Sequence, residues 1–539
     1  MPLPPPWFAP ACALAALLLP VPPAAAQSPA EAPPRFQLPA VPDAGRLRGP
    51  IERFVFDGLG VVPEQELQAI ARPYLARPLA PADLEELRLA LSRHLAERGY
   101  VNSGALIPAA SVQDQPGTFR FQIVEGRIQA VRVQGQGRLR EGYVAERLVT
   151  DGEPFNVQVL QDRFQRLLAD PLVARLNARI VPGAALGEAA LEVDVTRARP
   201  YKLALLANNH RPPSVGEAGA GLTGTVWNIS GWGDALDLSA VGSEGSERYG
   251  LGWTVPLPRL RTLLSLRHDR GDTSVVEEPI ASIDIVSRVR SLDLALLQPL
   301  VDTPTRRLAL GLGWSRRDSR STLLGEPFSF TPGEPDGISR LRAWRLVQEV
   351  VQRGPAQTLA LRSTFSWGSN NVQPGLAPGL AVPSRRYAFW LGQAQLARRL
   401  DALPGAQLVL KATLQRSRDR LLPLERLAVG GIASVRGYRE NQLVRDEGTV
   451  GSAELHLPLV DAAESDRRLT LIPFIDAGRA RNRGERSDEL SAIGLALDAR
   501  AGCFGIELAA AKRLRSVPSV VRRTLQDRGV HLQLRCELF

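Results

Sequence analysis

Apolar and polar residues alternate along the chain from Tyr201 onward, in segments of about ten residues separated by turn residues, a pattern typical of transmembrane barrel strands. Because successive side chains of a β-strand point to opposite faces, this alternation predicts strands with one apolar face. About sixteen such segments fit between Tyr201 and Phe539, and bacterial transmembrane barrels have an even number of strands. The clearest segments carry apolar residues at every second position: Leu236, Leu238, Leu308, Leu310, Leu312, Leu408, Leu410, Ile493, Leu495 and Leu497.

The connections between the predicted strands alternate between short and long. Transmembrane barrels have short periplasmic turns and long outer loops, so we expect the apolar face to meet lipid and the polar face to line a wet lumen. The alternative is a soluble β-sandwich, which would bury its apolar face. After the N-terminus no run of about 18 apolar residues appears, which excludes a helical membrane protein. Short turns are expected at residues 231–233, 302–305 and 401–405, and longer loops at 271–280, 325–337 and 370–386.

Residues 51–197 contain an internal repeat with a helical period that the later residues lack. Each copy opens with a strand pattern that ends in glycines, continues with apolar residues three and four positions apart, and closes with alternating segments. The repeat therefore predicts two α+β domains of the order β-α-α-β-β, at residues 51–126 and 127–198. The matching openings are Ile51, Phe54, Phe56, Gly58 and Gly60 in the first copy and Ile128, Val131, Val133, Gly135 and Gly137 in the second.

The N-terminus has the pattern of a secretory signal peptide. Residues 1–30 carry no charged side chain, and an apolar segment at 9–19 is followed by an Ala-x-Ala cleavage site that ends at Ala26. We expect a signal peptide at 1–26 and a Pro-rich linker at 27–50. The first residues lack the Lys or Arg that usually opens such a signal, so the alternative of a buried Ala/Leu helix stays open.

The formal charge of +10 over 539 residues first indicates nucleic-acid binding. However, Lys occurs only at positions 202, 411 and 512, and the Arg residues are spread along the chain without a basic block. We therefore expect no nucleic-acid partner. The five His residues form no catalytic dyad and no His/Cys spacing suits zinc, so we expect no enzyme, no cofactor and no metal site.

Two cysteines remain after the predicted cleavage, and both lie near the C-terminus. In the alternating pattern, Cys503 falls on the face opposite to Phe504 and Ile506, whereas Cys536 shares the face of Leu534. Cysteines on opposite faces of a sheet cannot join without a bulge, so we expect free thiols.

The most specific motifs lie between two late strands. The long segment 421–448 contains Val435, Arg436, Gly437 and Tyr438, and about forty residues later the chain carries the pattern F-x-D-x-G. The alternation of that later strand turns Asp476 toward the lumen. An aspartate inside a barrel needs a cation, and an arginine offers it two parallel hydrogen bonds. The residues of the second motif are Phe474, Asp476 and Gly478.

The motifs resemble those of a known group of outer-membrane proteins. The order of elements and the Val124-Glu125-Gly126 junction are similar to polypeptide-transport-associated (POTRA) domains, and the V-R-G-Y loop followed by F-x-D-x-G resembles the POTRA-barrel transporters. Two POTRA domains before about sixteen barrel strands resemble the two-partner secretion transporters (TpsB), the haemolysin and filamentous-haemagglutinin exporters of the ShlB/FhaC/HecB family. The strand end at 454–459 is similar to that group as well.

The resemblance implies a fold, a mechanism and a set of partners. POTRA domains would lie in the periplasm and bind an unfolded exoprotein, partly by strand addition, and a barrel at 200–539 in the outer membrane would pass it to the surface. Loop 421–448 would fold inward, and Arg436 would pair with Asp476 as a conformational lock shaped by Val435, Gly437, Tyr438, Phe474 and Gly478. The exoprotein-binding residues within 51–198 stay unassigned.

Further partners and two alternative functions follow from the same resemblance. The barrel would contact outer-membrane lipid, and its final strand, which ends at Phe539, is similar to the signal that the barrel assembly machinery reads. One alternative is a barrel-assembly factor of the same superfamily. The other is a diffusion porin whose N-terminal domains bind a partner.

Overall fold

A computed structural model describes residues 50–108, 117–150, 152–257, 261–462, 466–517 and 524–538. The chain divides into two compact units, which meet in sequence between Ala198 and Arg199. The predicted signal peptide at 1–26, nearly all of the predicted linker at 27–50, and Phe539 lie outside the described residues. No helix among the described residues is long and apolar enough to cross a membrane.

The first repeat folds into a three-stranded sheet covered by two helices. Strand β1 pairs in parallel with β3, which also pairs antiparallel with β2, so that the order is β1-β3-β2. The alternating residues Phe54 and Phe121 and the helical residues Leu87 and Leu91 are almost wholly buried and form the core. The elements are β1 (Arg53–Asp57), α1 (Glu64–Ala71), α2 (Pro81–Glu97), β2 (Gly104–Leu106) and β3 (Thr118–Val124).

The second repeat has the same order of elements and the same pairing. Strand β4 pairs in parallel with β6, and β5 pairs antiparallel with β6. Asn156 caps the second helix of this repeat, because its Oδ1 accepts the backbone N–H groups of Gln158 and Val159. The elements are β4 (Arg127–Gln134), α3 (Glu141–Leu148), α4 (Val157–Leu168), β5 (Val173–Pro182) and β6 (Glu188–Arg197).

The unit from Arg199 onward is a closed antiparallel barrel of sixteen long strands, as predicted. Three short strands, β14 (Glu326–Pro327), β19 (Leu427–Val429) and β20 (Leu443–Arg445), lie in its connections. The long strands are β7 (Tyr201–Asn208), β8 (Gly219–Trp227), β9 (Ala235–Ser243), β10 (Ser246–Pro256), β11 (Leu263–Ser274), β12 (Ile285–Asp302), β13 (Arg306–Leu323), β15 (Ile338–Arg353), β16 (Gln357–Asn370), β17 (Arg386–Arg399), β18 (Gln407–Ser417), β21 (Glu447–Ala462), β22 (Arg467–Arg481), β23 (Asp488–Ala501), β24 (Phe504–Arg513) and β25 (Val530–Glu537).

The apolar face of the barrel strands points outward. On β22, the side chain of Ile475 is 50% exposed, whereas its neighbours Phe474 and Asp476 are 3% and 0% exposed. A soluble sandwich would bury such residues as Ile475, Leu312 and Ile493, which are all exposed here. The alternative of a soluble sandwich is therefore wrong, and an apolar face on the outside is typical of a transmembrane barrel.

The two described cysteines lie closer together than the sequence pattern predicted. Both are unbonded, yet the Sγ atoms of Cys503 and Cys536 are 2.7 Å apart. The predicted separation on opposite faces is wrong, because Cys503 belongs to the turn before β24 and not to the strand itself. The strict alternation of faces does not extend into that turn, where Gly502 has a positive φ of 55°.

Candidate functional site: an inward loop anchored to the barrel wall

The long connection between β18 and β21 lies against the inner wall of the barrel. Its short strands β19 and β20 pair with each other. The loop residues Val429, Val435 and Tyr438 are fully buried, and they pack with Val450 of β21 and Leu490 of β23, which face the lumen. The alternation of the barrel strands explains this contact, because it turns small and apolar side chains of β21–β23 inward where the loop lies.

The tip of the loop is joined to β22 through Arg436 and Asp476. The guanidinium donates from Nε to Oδ2 at 2.8 Å and from Nη2 to Oδ1 at 2.8 Å, and the backbone N–H of Arg436 also donates to Oδ2 at 3.0 Å. Arg436 is 7% exposed and Asp476 is not exposed at all. A bidentate pair with a third hydrogen bond is the arrangement that best offsets the desolvation of two buried charges.

Arg436 has further partners around the same guanidinium. Its Nη2 lies 3.0 Å from Oε1 of Glu454 and donates to Oγ of Ser452 at 3.0 Å. The guanidinium carbon Cζ lies over the ring of Phe474, 3.4 Å from the ring centroid. Attraction between a cation and an aromatic face strengthens when water is excluded. The wall therefore offers this one arginine two carboxylates, a hydroxyl and a ring.

Two glycines allow the close approach that this contact needs. Gly478 faces the loop from β22, and a Cβ built there would lie 2.7 Å from Cγ1 of Val429 and 2.9 Å from Cγ2 of Val435. Gly437 has a φ of 87°, which other residues rarely adopt, and its Cβ would lie 2.9 Å from that of Ala511. Larger residues at either position would push the loop off the wall.

Tyr438 fixes the far side of the loop tip. Its hydroxyl lies 2.9 Å from the carbonyl oxygen of Ser491 and 2.7 Å from that of Arg515, and donates its proton to one of them. Tyr438 is fully buried. The structure thus brings together every residue that the sequence singled out on the two motifs: Val435, Arg436, Gly437, Tyr438, Phe474, Asp476 and Gly478.

A second ion-paired contact, which sequence reasoning missed, holds the beginning of the loop. Glu425 accepts hydrogen bonds from Nη2 of Arg345 at 2.6 and 2.9 Å and from Nη1 of Arg317 at 3.0 Å. Arg317 lies on β13 and Arg345 on the neighbouring β15, and Glu425 is 6% exposed. We call this the base contact, and the Arg436–Asp476 pair the tip contact.

A third contact, also missed, joins the loop to two outer connections. Arg439 donates from Nε and Nη2 to the two carboxylate oxygens of Asp527, each at 2.7 Å, and its Nη1 lies 3.0 Å from Glu277. Asp527 lies between β24 and β25, and Glu277 lies between β11 and β12. The available signal was a second arginine directly after the V-R-G-Y motif, but neither acidic partner falls in a patterned strand.

A fold of two such N-terminal units before a closed sixteen-strand barrel with an inward loop defines a POTRA-barrel protein of the outer membrane. The protein-family model for the haemolysin secretion/activation protein ShlB/FhaC/HecB matches residues 187–501, and the family model for the ShlB-type POTRA domain matches residues 50–126. The first match covers more than half of the chain. The chain therefore belongs to the ShlB/FhaC/HecB haemolysin secretion/activation family.

Individual relatives agree with this assignment. The heme/hemopexin transporter protein HuxB of Haemophilus influenzae is 21% identical over 475 residues, which cover 83% of this chain and 80% of the relative. The structure of CdiB from Escherichia coli has a TM-score of 0.72 at 17% identity and covers 93% of both chains. CdiB from Acinetobacter baumannii has a TM-score of 0.65 at 15% identity, covering 98% of this chain and 96% of that one.

The family fixes the class of function that the sequence predicted. The chain is a two-partner secretion transporter of the outer membrane, with its N-terminal domains in the periplasm, and the family implies a secreted exoprotein as partner. The structure of BamA from Haemophilus ducreyi lacking POTRA domains 1–3 has a TM-score of 0.53 at 12% identity and covers 91% of this chain and 100% of that one. That likeness shows the fold alone, whereas the family match is to the haemolysin secretion/activation proteins.

Proposed function

We propose that loop 421–448 is the element that must leave the barrel wall when the partner exoprotein passes, and that the tip contact is its conformational lock. The observation that carries this proposal is the buried bidentate pair between Arg436 and Asp476. In this proposal Val435, Gly437, Tyr438, Phe474 and Gly478 shape the docked position. The base contact through Glu425 holds the other end of the same loop.

The energetics of buried charges make such a contact switch-like. Removing one partner of a buried, hydrogen-bonded ion pair costs about 3–5 kcal/mol, because the remaining charge is left without compensation. The loop therefore leaves only when something else satisfies Arg436 and Asp476 together. Water or polar backbone of an exoprotein segment in the lumen supplies that replacement.

We further propose a division of labour along the chain. Residues 1–26 direct export and 27–50 form a linker, the domains at 51–126 and 127–198 capture the exoprotein, and the barrel at 200–539 passes it outward. Strand β5, with ten residues, is an open edge of its sheet, because among the described residues it pairs with β6 alone. Such an edge binds an extended segment through main-chain hydrogen bonds, which tolerate many sequences.

Two other partners belong to the same proposal. Lipid covers the exposed apolar band of the barrel, and the barrel assembly machinery reads the final strand during insertion. The exposed apolar residues Leu312, Ile475 and Ile493 support the first of these.

Replacing Arg436 or Asp476 by alanine tests the lock. We expect each variant to insert its barrel, as seen by heat-dependent mobility in gels, to conduct more ions in planar bilayers, and to lose secretion of the exoprotein. The double variant is expected to be no worse than either single variant, because the two residues act as one unit. Normal secretion from both single variants would contradict the proposal.

Arginine 445 provides a matched control in the same loop. Its contact with Asp488 is partly exposed, with 29% and 47% of the two side chains accessible. Exposed ion pairs are worth about 0–1 kcal/mol, so Arg445→Ala is expected to secrete normally. Equal losses in the Arg436→Ala and Arg445→Ala variants would point to charge loss in the loop in general and against a specific lock.

A further inference from the structure

The two cysteines of the described chain meet at one end of the barrel. Cys503 lies in the turn between β23 and β24, and Cys536 is the residue of β25 that pairs directly with Phe504. The backbone N–H of Glu537 donates to the carbonyl oxygen of Cys503 at 2.8 Å, so the two cysteines occupy diagonal positions on hydrogen-bonded neighbours. Their sulfur atoms are 2.7 Å apart, and both residues are partly exposed.

This end of the barrel is the periplasmic end. The chain enters β7 at Tyr201 directly from the N-terminal domains, which lie in the periplasm, and the pairing of β25 with β7 sets Glu537 opposite Ala204 at the same end. Lys202 lies 3.0 Å from Glu537 here, and both side chains are partly accessible, as is typical of an aqueous rim. The periplasm is a compartment in which disulfides form and persist.

We propose that Cys503 and Cys536 are joined by a disulfide in the mature protein. The two thiols lose two protons and two electrons to a disulfide-bearing oxidant of the periplasm, whose own disulfide is reduced to a dithiol as the new S–S bond forms. The sequence supports the pairing, because these are the only cysteines after the predicted cleavage site and no third thiol competes.

The position of the bond gives it a structural role. Strand β25 closes the barrel by pairing with β7 over five residues, Gln533–Glu537 against Ala204–Asn208. A bond from Cys536 to the turn before β24 fixes β25 on its other side, at the last residues of the chain. If β25 separates from β7 at the periplasmic end, the disulfide then still holds β25 paired with β24.

Thiol labelling of the full-length protein tests the bond. Protein is extracted from outer membranes without reductant and denatured in excess N-ethylmaleimide. The peptides that contain Cys503 and Cys536 are then identified by mass spectrometry, so that labelling of Cys12 is not counted. We expect no label at either position, one label at each after reduction, and a single label in each of C503S and C536S. Full labelling of both positions without reduction would overturn the proposal.

A measurement of thermal stability distinguishes a disulfide between Cys503 and Cys536 from two thiols that only lie close together. The temperature at which the folded barrel band is lost in detergent gels is expected to fall on reduction of the wild-type protein. The same temperature is expected not to respond to reduction in the double variant C503S/C536S. A wild-type barrel that does not respond to reduction would show that no structural disulfide is present.

Discussion

Glu425 accepts two hydrogen bonds from Arg345, at 2.6 and 2.9 Å, although the two residues are 80 positions apart in the chain. Arg317 shares the same carboxylate and also donates to the carbonyl oxygen of Leu424 at 3.1 Å. One loop glutamate therefore compensates two arginines of the barrel wall. The loop is therefore held at its beginning and at its tip by contacts of the same chemical kind.

Neutralising this carboxylate should release the beginning of the loop. In Glu425→Gln, Arg317 and Arg345 lose the charged carboxylate to which they donate hydrogen bonds, while they remain largely buried, with 8% and 15% of their side chains exposed. Removing one charge of a buried ion pair destabilises the folded arrangement by about 3–5 kcal/mol. We expect larger and noisier single-channel conductance in planar bilayers, together with reduced secretion of the exoprotein.

The matched control for this variant is Glu485→Gln. Glu485 pairs with Arg420 near the same loop, but half of its side chain is exposed, so the pair contributes little. Conductance that is unchanged by Glu425→Gln, or changed equally by Glu485→Gln, would argue against the base contact as an anchor of the loop.

Lysine in place of Arg436 separates charge from geometry at the tip contact. The ammonium keeps the positive charge but cannot donate two parallel hydrogen bonds to Asp476 and lies less well over the ring of Phe474. We expect Arg436→Lys to insert its barrel and to secrete less exoprotein than wild type, though more than Arg436→Ala. Secretion at the wild-type level would mean that charge alone is sufficient.

A methyl group at Gly478 should push the loop from the wall. The added Cβ would lie within 3 Å of Val429 and Val435, and inserting atoms into a packed site costs about 1–3 kcal/mol. We expect Gly478→Ala to raise conductance without loss of the folded barrel. Gly451→Ala on β21 is the control, because its Cβ would meet nothing nearer than 3.9 Å, and it should behave as wild type.

The tip contact could be predicted from sequence because both of its ends carry a pattern. The alternation on β22 turned Asp476 inward, and the V-R-G-Y motif marked its partner. Glu425 gave no such signal, since it lies outside the alternating strands and its two partners are identified only once β13 and β15 stand side by side. The cysteines show the opposite error: alternation was extended to Cys503, one residue beyond the strand to which it applies.

Glu440 should make docking of the loop depend on pH. This residue belongs to the loop and not to a membrane-spanning strand, and burial raises the pKa of its carboxyl to about 7, although the N–H of Ile432 donates to it at 2.7 Å. An exposed glutamate has a pKa of about 4.3. Between pH of about 4.5 and 7, the docked loop therefore keeps the proton on Glu440, whereas a released loop loses it. Docking of the loop consequently weakens as the pH rises through this range.

Conductance measured between pH 5 and 8 checks this expectation. The wild-type channel should become more open as the pH rises, and Glu440→Gln, which stays neutral, should lose that part of the response. An identical pH response of the two proteins would show that Glu440 does not control docking.

Proline substitutions on β5 test whether exoprotein adds to this edge. In an antiparallel strand, the N–H groups of adjacent residues point to opposite sides. Proline has no N–H group, so one of the variants Ala178→Pro and Arg179→Pro loses a hydrogen bond to β6, and the other loses a donor of the open edge. We expect the first kind to lower the thermal stability of the N-terminal domains, and the second kind to leave it nearly unchanged but to weaken exoprotein capture and secretion. A stable variant that captures exoprotein normally would mean that β5 is not the edge that binds it.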